Sequence, residues 1–359
     1  SAHPVLSPAI AESVEDVPVL GTLRRDEDDV EQWLIARAQA FVVGLPVVWP
    51  TGPVGDVSTL PTYPFQRQRY WLESVDGGVV DARSLGLSAS SHPLLPAWVA
   101  VPDGVVFTGR LSLKAQPWLA EHVVFGTVLV PGTALVDMAL HAGREAGLGE
   151  LRELVLHAPL ILGEQDERQL QVSVLGDEVL VRSRTAEETE WTTHARGQLQ
   201  ATTGEPAAEA LRWPPDAPAA DPEALYAELA DAGYGYGPLF RGVRRLTGRP
   251  DELFAEVELA ETVATEGFAL HPALFDAALH PIVRLAAGGD ATVVRLPFSW
   301  RTVRFASGHT AVRRLRVRLT VVGDDTVRVE AADEHGRPVL SVEGLTLRAA
   351  DRAQLRARD

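Results

Sequence analysis

The most constraining feature of this chain is that it repeats itself. Residues 134–141 read ALVDMALH and residues 273–280 read ALFDAALH, with six of eight positions identical at an offset of 139 residues. Both stretches place apolar residues at helical spacing. Alanine- and leucine-rich helices produce short matches by chance, so the octet alone does not prove a repeat. Its setting adds weight, because each octet lies in a strand-rich half of similar pattern. In the first half, residues 170–175 and 179–184 alternate around Gly176-Asp177, a hairpin signal. In the second, residues 313–320 and 326–330 flank Gly323-Asp324, and an alternating run at 339–347 follows. An Ala/Pro/Glu-rich stretch at 201–222 separates the halves. The reading is an internal duplication: two related α+β halves, each with one apolar helix.

Residues 1–91 differ. Residues 28–43 (DDVEQWLIARAQAFVV) have helical spacing, with Val30, Trp33, Leu34, Ala38 and Phe41 along one face. A short apolar piece at 45–49 follows, then a Pro- and Gly-punctuated stretch ending in LPTYPFQRQRYWL at 60–72. Residues 73–91 are rich in Gly, Ser and Asp and read as a linker. The expected organisation is a flanking piece at 1–91, a first half at 92–200, a linker at 201–222, a second half at 223–350 and a tail at 351–359.

Composition removes several chemistries. The formal net charge of -16 makes nucleic acid a poor partner, since phosphates need a basic footprint. The absence of cysteine excludes disulfides, zinc-thiolate sites and cysteine nucleophiles. The ten histidines form no HxH or HExxH arrangement, so no metal site is expected. No GxSxG elbow, GxGxxG turn or GxxxxGK[ST] loop is present. The apolar stretch at 123–136 is broken by Gly126, Pro131 and Gly132 and is too short to span a bilayer. No basic region followed by an apolar run opens the sequence, so no signal peptide is expected.

Two residues could carry acid–base chemistry. His122 sits in WLAEHVVFGTVLVPGTALVD, ahead of a Pro131-Gly132 pair that opens the first helix. Proline suits a first helical turn, where its missing N–H would be unpaired anyway. A helix start with an approachable Gly132 backbone offers N–H groups and a positive partial charge to a carbonyl oxygen gaining negative charge. A core histidine beside an ordinary helix cap fits the same spacing. Asp276 lies in FALHPALFDAALHPIV, amid Leu274, Phe275, Ala277, Ala278 and Leu279. A carboxylate there is costly to bury unless paired or protonated, and burial would raise its pKa toward that of a proton donor. His280, four residues on, shares its helical face and could orient it. A solvent-facing Asp with a local His partner fits equally. The repeat is asymmetric in this respect. His122 lies 15 residues before Asp137, whereas the position 15 before Asp276 is Glu261. If His122 works with a carboxylate, each half supplies one partner.

Five segments together carry a family resemblance. His122-x-x-x-Gly126-x-x-x-x-Pro131 resembles the HxxxGxxxxP motif of polyketide synthase dehydratases. Residues 233–240 (GYGYGPLF) resemble their GYxYGPxF motif, and Asp276-x-x-x-His280 their DxxxQ/H motif. Residues 296–300 (LPFSW) and 92–95 (HPLL) resemble two further segments in family order. The stretch LPTYPFQRQRYWL looks like the linker that follows an acyltransferase in these synthases, and the helix before it like the end of that acyltransferase. Its nucleophile motif is absent, so no transferase activity is expected there.

The resemblance implies a double hotdog fold, each half wrapping a curved antiparallel sheet around a helix. It implies removal of water from a (3R)-3-hydroxyacyl thioester on an acyl carrier protein, giving a trans-2-enoyl thioester by syn elimination. His122 would be the base. Asp276 would act at the hydroxyl, donating a proton or hydrogen-bonding it as water leaves. Substrate contacts would come from Gly132, Gly126, Pro131, His280 and Tyr236, although Tyr236 could equally be a packed turn residue. Asp137 would be a structural relic. No cofactor would be bound; the substrate would ride on the carrier's phosphopantetheine. A cytoplasmic homodimer working beside other synthase domains would be expected. Carrier docking on so acidic a chain needs a local basic patch, for which Arg241, Arg244, Arg245 and Arg249 are candidates. The run Arg313, Arg314, Arg316 and Arg318 is the second choice, and a plain solvated surface explains either. Two other functions remain open: a non-catalytic interaction module, which intact His122 and Asp276 argue against, and a hotdog thioesterase or double-bond isomerase.

Overall fold

The computed structural model describes residues 4–14, 17–49, 86–202, 204, 219–285, 293–306, 312–323, 325–350 and 355. The chain divides into two compact units, Ser1–Glu73 and Ser74–Asp359.

The first unit holds helices α1 (Ser7–Ser13) and α2 (Asp29–Val42). Asp28 starts α2 by accepting the N–H groups of Val30 and Glu31, a side-chain cap for donors that lack helical partners. The expected apolar stripe is present, but Val30, Trp33, Leu34 and Phe41 are exposed. Among the described residues, only Ala36 of α2 is buried. The LPTYPFQRQRYWL motif lies outside the described residues.

Among the described residues, the second unit contains a sheet of fourteen antiparallel strands. From one edge to the middle run Ser88–Ala89, Ala97–Val101, Gly104–Leu111, Arg168–Leu175, Glu178–Thr185, Thr192–Gln200 and Glu150–Leu156. The second half continues with Arg295–Phe305, Pro338–Ala349, Thr326–Ala332, Arg314–Gly323, Glu252–Glu258, Val243–Arg249 and Ala219–Ala220. The halves join where Arg295–Phe305 pairs with Glu150–Leu156, with Trp300 opposite Leu154. Ser88–Ala89 pairs with Ala97–Val101, so residues just before 92 already belong to the first half's sheet. The Gly176-Asp177 hairpin forms in the expected place, Leu175 facing Glu178, with Gly176 at a left-handed φ of 59°.

Among the described residues, three helices pack on this sheet: α3 (Gly132–Glu145), α4 (Pro222–Ala232) and α5 (Pro272–Leu279). In α3 the run from Thr133 to Leu140 is buried, and in α5 all eight residues are. Helices apolar on nearly every side belong inside a core. The first-half sheet wraps α3, while α5 lies on strands Glu252–Glu258 and Arg314–Gly323. The two helices also touch each other. Phe275 meets Trp300 edge-on at 5.4 Å, and burying each such side chain contributes ~1.5–3 kcal/mol. This is the double hotdog arrangement, with the sequence repeat as its two central helices. Pro281 ends α5, because it has no N–H to continue the helix. The chain passes into a 3-10 turn, His280–Arg284. α4 ends at Gly233, whose φ of 116° suits a residue without a side chain.

Candidate active site

His122 follows a 3-10 turn, Pro117–Glu121, and begins the short strand His122–Val124. That strand pairs with Thr127–Val128 through a two-residue turn, Phe125-Gly126, both at positive φ (50° and 79°). A turn of this kind requires left-handed backbone at both central positions, which accounts for glycine at 126. Gly126, expected as a substrate contact, is placed in this turn and is not among the residues that line the cavity. Pro131 is likewise outside the lining; it stands at the N-cap of α3, one position before the expected first turn. Gly132, the first residue of α3, does line it.

The imidazole of His122 is buried, and its Nδ1 lies 2.8 Å from the Leu129 carbonyl. A carbonyl can only accept, so Nδ1 carries the proton and Nε2 keeps its lone pair in the neutral ring. Burial pushes the His122 pKa below its ordinary 6.5, against the opposing pull of Asp276 and the Leu129 hydrogen bond. The ring is thus neutral near pH 7 and bare at Nε2.

That nitrogen lies 3.6 Å from Oδ2 of Asp276, which comes from α5 in the other half. The same oxygen accepts from His280 Nε2 at 2.9 Å. Burial raises the Asp276 pKa, but His122 and the His280 hydrogen bond outweigh it, and the net direction is below 3.8. This corrects the sequence expectation of a raised value: burial counts less than two imidazoles on one carboxylate. The other side of His280 approaches the Tyr226 hydroxyl of α4, Nδ1 to Oη 3.4 Å. Tyr226 Oη also accepts from Val243 N at 3.0 Å.

The GYGYGP segment completes the wall. Tyr236 pairs across from His122 in a small sheet, and its ring stacks on His280 with centroids 4.0 Å apart. Burial holds its phenol well above the ordinary value of 10, so it stays protonated. Glu121 fastens the turn that follows. Its carbonyl accepts from Gly237 N at 2.8 Å and its carboxylate from Leu239 N at 2.6 Å. Tyr234 Oη donates to the Arg295 carbonyl at 2.6 Å and accepts from Arg295 N at 2.7 Å. The sequence did not single out Glu121, Tyr226 or Tyr234; adjacency to His122 was the available signal for Glu121.

These groups open on a cavity of about 630 Å³ lined by His122, Asp276, Tyr236, His280 and Gly132, with Leu135, Leu156, Ile282, Pro297 and Phe298 around them. The walls suit an acyl chain, and the polar groups converge at one place. Among the described residues, no group of three or more His, Asp or Glu could hold a metal ion. No helix among them is long and apolar enough to cross a membrane.

The four candidate docking arginines are elsewhere and are not a bare basic patch. Arg241 bridges Glu223 at 2.6 Å, and Arg244 meets Glu258 at 3.6 Å. Arg245 stands opposite Glu256 in the sheet, and Arg249 opposite Glu252. The second group shares the same strand of glutamates: Arg314 reaches Glu258, Arg316 Glu256 and Arg318 Glu252. Arg244, Arg245, Arg249, Arg314, Arg316 and Arg318 thus form a mixed-charge ladder, while Arg313 donates to the Ala260 and Val263 carbonyls.

Comparison with known proteins gives this arrangement a family. A model described as polyketide synthase dehydratase domain matches residues 92–194, and one described as polyketide synthase dehydratase N-terminal domain matches 204–357. The dehydratase domain from the terminal module of the rifamycin polyketide synthase is 42% identical, with a TM-score of 0.68 over 75% of this chain and 100% of that one. The chain belongs to the polyketide synthase dehydratase domains. A dehydratase structure studied for the borrelidin and fluvirucin synthases is similar, at 41% identity and TM-score 0.69 over 76% of this chain and all of that one. Polyketide synthase GfsE of Streptomyces halstedii is 43% identical over 99% of this chain. The pikromycin synthase component PikAII of Streptomyces venezuelae is 44% identical over 99% of it. The dehydratase chain spans 10% of the length of each. Domains of this family are hydro-lyases that dehydrate hydroxyacyl intermediates during polyketide chain extension.

Proposed function

We propose that the chain dehydrates a (3R)-3-hydroxyacyl thioester, carried on the phosphopantetheine of an acyl carrier protein, to a trans-2-enoyl thioester. The observation that carries this reading is the bare Nε2 of a neutral, buried His122 lying 3.6 Å from the Asp276 carboxylate in an apolar cavity. Nε2 takes the C2 proton, and negative charge moves to the thioester oxygen. The first-turn N–H groups of α3 begin at Gly132, which lines the cavity, and would receive that oxygen at a helix N-terminus. The His122 imidazolium then passes its proton to Asp276 Oδ2. Asp276 delivers it to the C3 hydroxyl, the C–O bond breaks, and water leaves. The proton removed from C2 thus departs in the water, and the enzyme returns to neutral His122 and ionised Asp276. Asp276 is a carboxylate at rest and an acid only within the cycle. Because His122 and Asp276 sit side by side, both act on one face of the substrate, as a syn elimination requires. Tyr236 and His280 form the wall against which the hydroxyl-bearing carbon rests.

The carrier protein, the neighbouring synthase domains, a homodimer and a cytoplasmic setting belong to the same proposal. They rest on the polyketide synthases that the chain resembles. The domain division proposed is a flanking strip through residue 91, two halves at 92–200 and 223–350 joined by 201–222, and a tail at 351–359.

The test is turnover of a 3-hydroxyacyl thioester followed by mass spectrometry for loss of water. His122→Ala and Asp276→Asn are each expected to lower kcat by ~10²–10⁴-fold, the range for a positioned acid or base. Dehydration that survives in both would place the chemistry elsewhere. Release of free acid would mark a thioesterase.

A further inference from the structure

The catalytic pair is assembled from two halves, so something must fix the distance between them. His122 is anchored to the segment entering α3, through Nδ1–H to the Leu129 carbonyl. Asp276 rides on α5. Between α3 and the start of α5 lie two buried ties that the reaction does not use.

The first is Asp137, one helical turn into α3 and 1% exposed. Its Oδ1 accepts from the backbone N–H groups of Ala269 and Leu270, at 3.0 and 3.4 Å. These residues immediately precede His271, whose Nδ1 accepts from Ala273 N at 3.2 Å and caps α5. Its Oδ2 accepts from His92 Nε2 at 2.9 Å. His92 has no freedom of tautomer: its Nδ1 accepts from Leu94 N at 3.1 Å, so the ring proton sits on Nε2 and points at Asp137. Every partner of this carboxylate is a donor. The second tie is Thr133, four residues earlier and on the same face of α3. Its hydroxyl donates to the Pro272 carbonyl at 3.1 Å.

We propose that Asp137, oriented by His92 and assisted by Thr133, is a positioning residue that sets the place of α5, and through it the separation of Asp276 from His122. Asp137 is therefore no relic: the first-half aspartate holds the second-half aspartate in register. The ties grip α5 at its capped N-terminus, so a shift there carries along the helix to Asp276. Misplacing a reacting group by about 1 Å can cost on the order of 10²-fold in rate. The role rests on the dehydration reading above only in so far as kcat is its readout.

Two measurements test it. In steady state, folded Asp137→Ala is expected to lose ~10–10²-fold in kcat with KM within about twofold, and Thr133→Val ~3–10-fold. His92→Gln keeps a donor toward Asp137 and should retain most of kcat, whereas His92→Leu should not. The second measurement is the ¹⁵N-histidine titration of His122 in the full chain, assigned with His122→Gln. Asp276 raises the His122 pKa, so its withdrawal in Asp137→Ala moves that titration to lower pH. A folded Asp137→Ala with parental kcat and an unmoved His122 titration overturns the proposal. Where Asp137→Ala fails to fold, Thr133→Val decides, and parental values for it overturn the proposal. A parent inactive on hydroxyacyl thioesters overturns the dehydration reading instead; the titration then still judges the clasp, and an unmoved His122 sinks it.

Discussion

The two halves carry the same aspartate on the same helix and use it oppositely. Asp276 and Asp137 occupy equivalent places in the repeated octet, and each accepts from a histidine at 2.9 Å. Asp276 takes its histidine from its own helix face, four residues on, and shares the cavity with His122. Asp137 does not use the equivalent His141, which instead meets the Ser90 hydroxyl at 3.0 Å. Its partner is His92, from the chain before the first long strands, and its second oxygen is filled by two backbone N–H groups of the other half. One carboxylate keeps an imidazole with a bare nitrogen beside it; the other has its oxygens occupied by fixed donors. Availability of the carboxylate, more than the aspartate itself, separates the proposed acid from the proposed positioning residue. Helix length is part of the cause. α3 runs on past His141, whereas Pro281 breaks α5 after Leu279 and places His280 at the junction with a 3-10 turn, between Asp276 and Tyr226.

The comparison is broken most forcefully at His280. His280→Leu removes the N–H that orients Asp276 and leaves a buried carboxylate beside His122 alone. A loss of about 10²-fold in kcat is expected, the scale for a mispositioned reacting group. His280→Gln retains a donor and should stay within about tenfold of the parent. Equal damage from both would show that the imidazole ring, not its N–H, is what the site requires.

The pH profile sharpens the contrast next. As the proposed base, His122 would have to be neutral, so activity is expected above its pKa and is expected to be lost as pH falls through it. Burial puts that pKa below 6.5, and kcat/KM should therefore hold at pH 6.5 and fall about tenfold per unit at lower pH. Asp276 is held below 3.8 and is already a carboxylate across this range. The facing phenols are pushed upward by burial, Tyr234 to about 12. No alkaline limb should appear near neutrality. A bell-shaped profile falling between pH 7 and 8 would mean that Asp276 enters the cycle protonated, and the relay from His122 would be wrong.

How much of this was legible in the sequence follows from the range of each interaction. The repeated octet gave both central helices, and the asymmetry between His122 and Glu261 pointed to one partner from each half. His280 was legible because it sits one helical turn from Asp276. The partners of Asp137 were not, since His92 and Leu270 are 45 and 133 residues away and meet it only when the halves close. Tyr226 is 54 residues from His280 and reads as an ordinary core residue of α4. The turn that Gly126 makes was not legible either, since a motif glycine does not show which backbone conformation it serves. The direction of the Asp276 shift was misread for a related reason: burial shows in an apolar sequence context, while the two imidazoles that outweigh it are a matter of geometry.

The smallest effect is expected on the outer face of the second half, whose charged strands contrast with the apolar cavity. Inside, one carboxylate is shared by two imidazoles; outside, Arg244 and Arg245 each face a glutamate of strand Glu252–Glu258. Exposed pairs of this kind contribute about 0–1 kcal/mol and are screened by salt. Arg244→Glu with Arg245→Glu sets glutamate against glutamate, which should lower stability slightly. Because the ladder already balances these charges, KM for a carrier-bound substrate should change by no more than about twofold, in proportion to screened surface charge. The control is a small thioester lacking the carrier. A tenfold or greater rise in KM confined to the carrier-bound substrate would show that the carrier outcompetes the glutamates for these arginines, and would restore the patch as its docking surface.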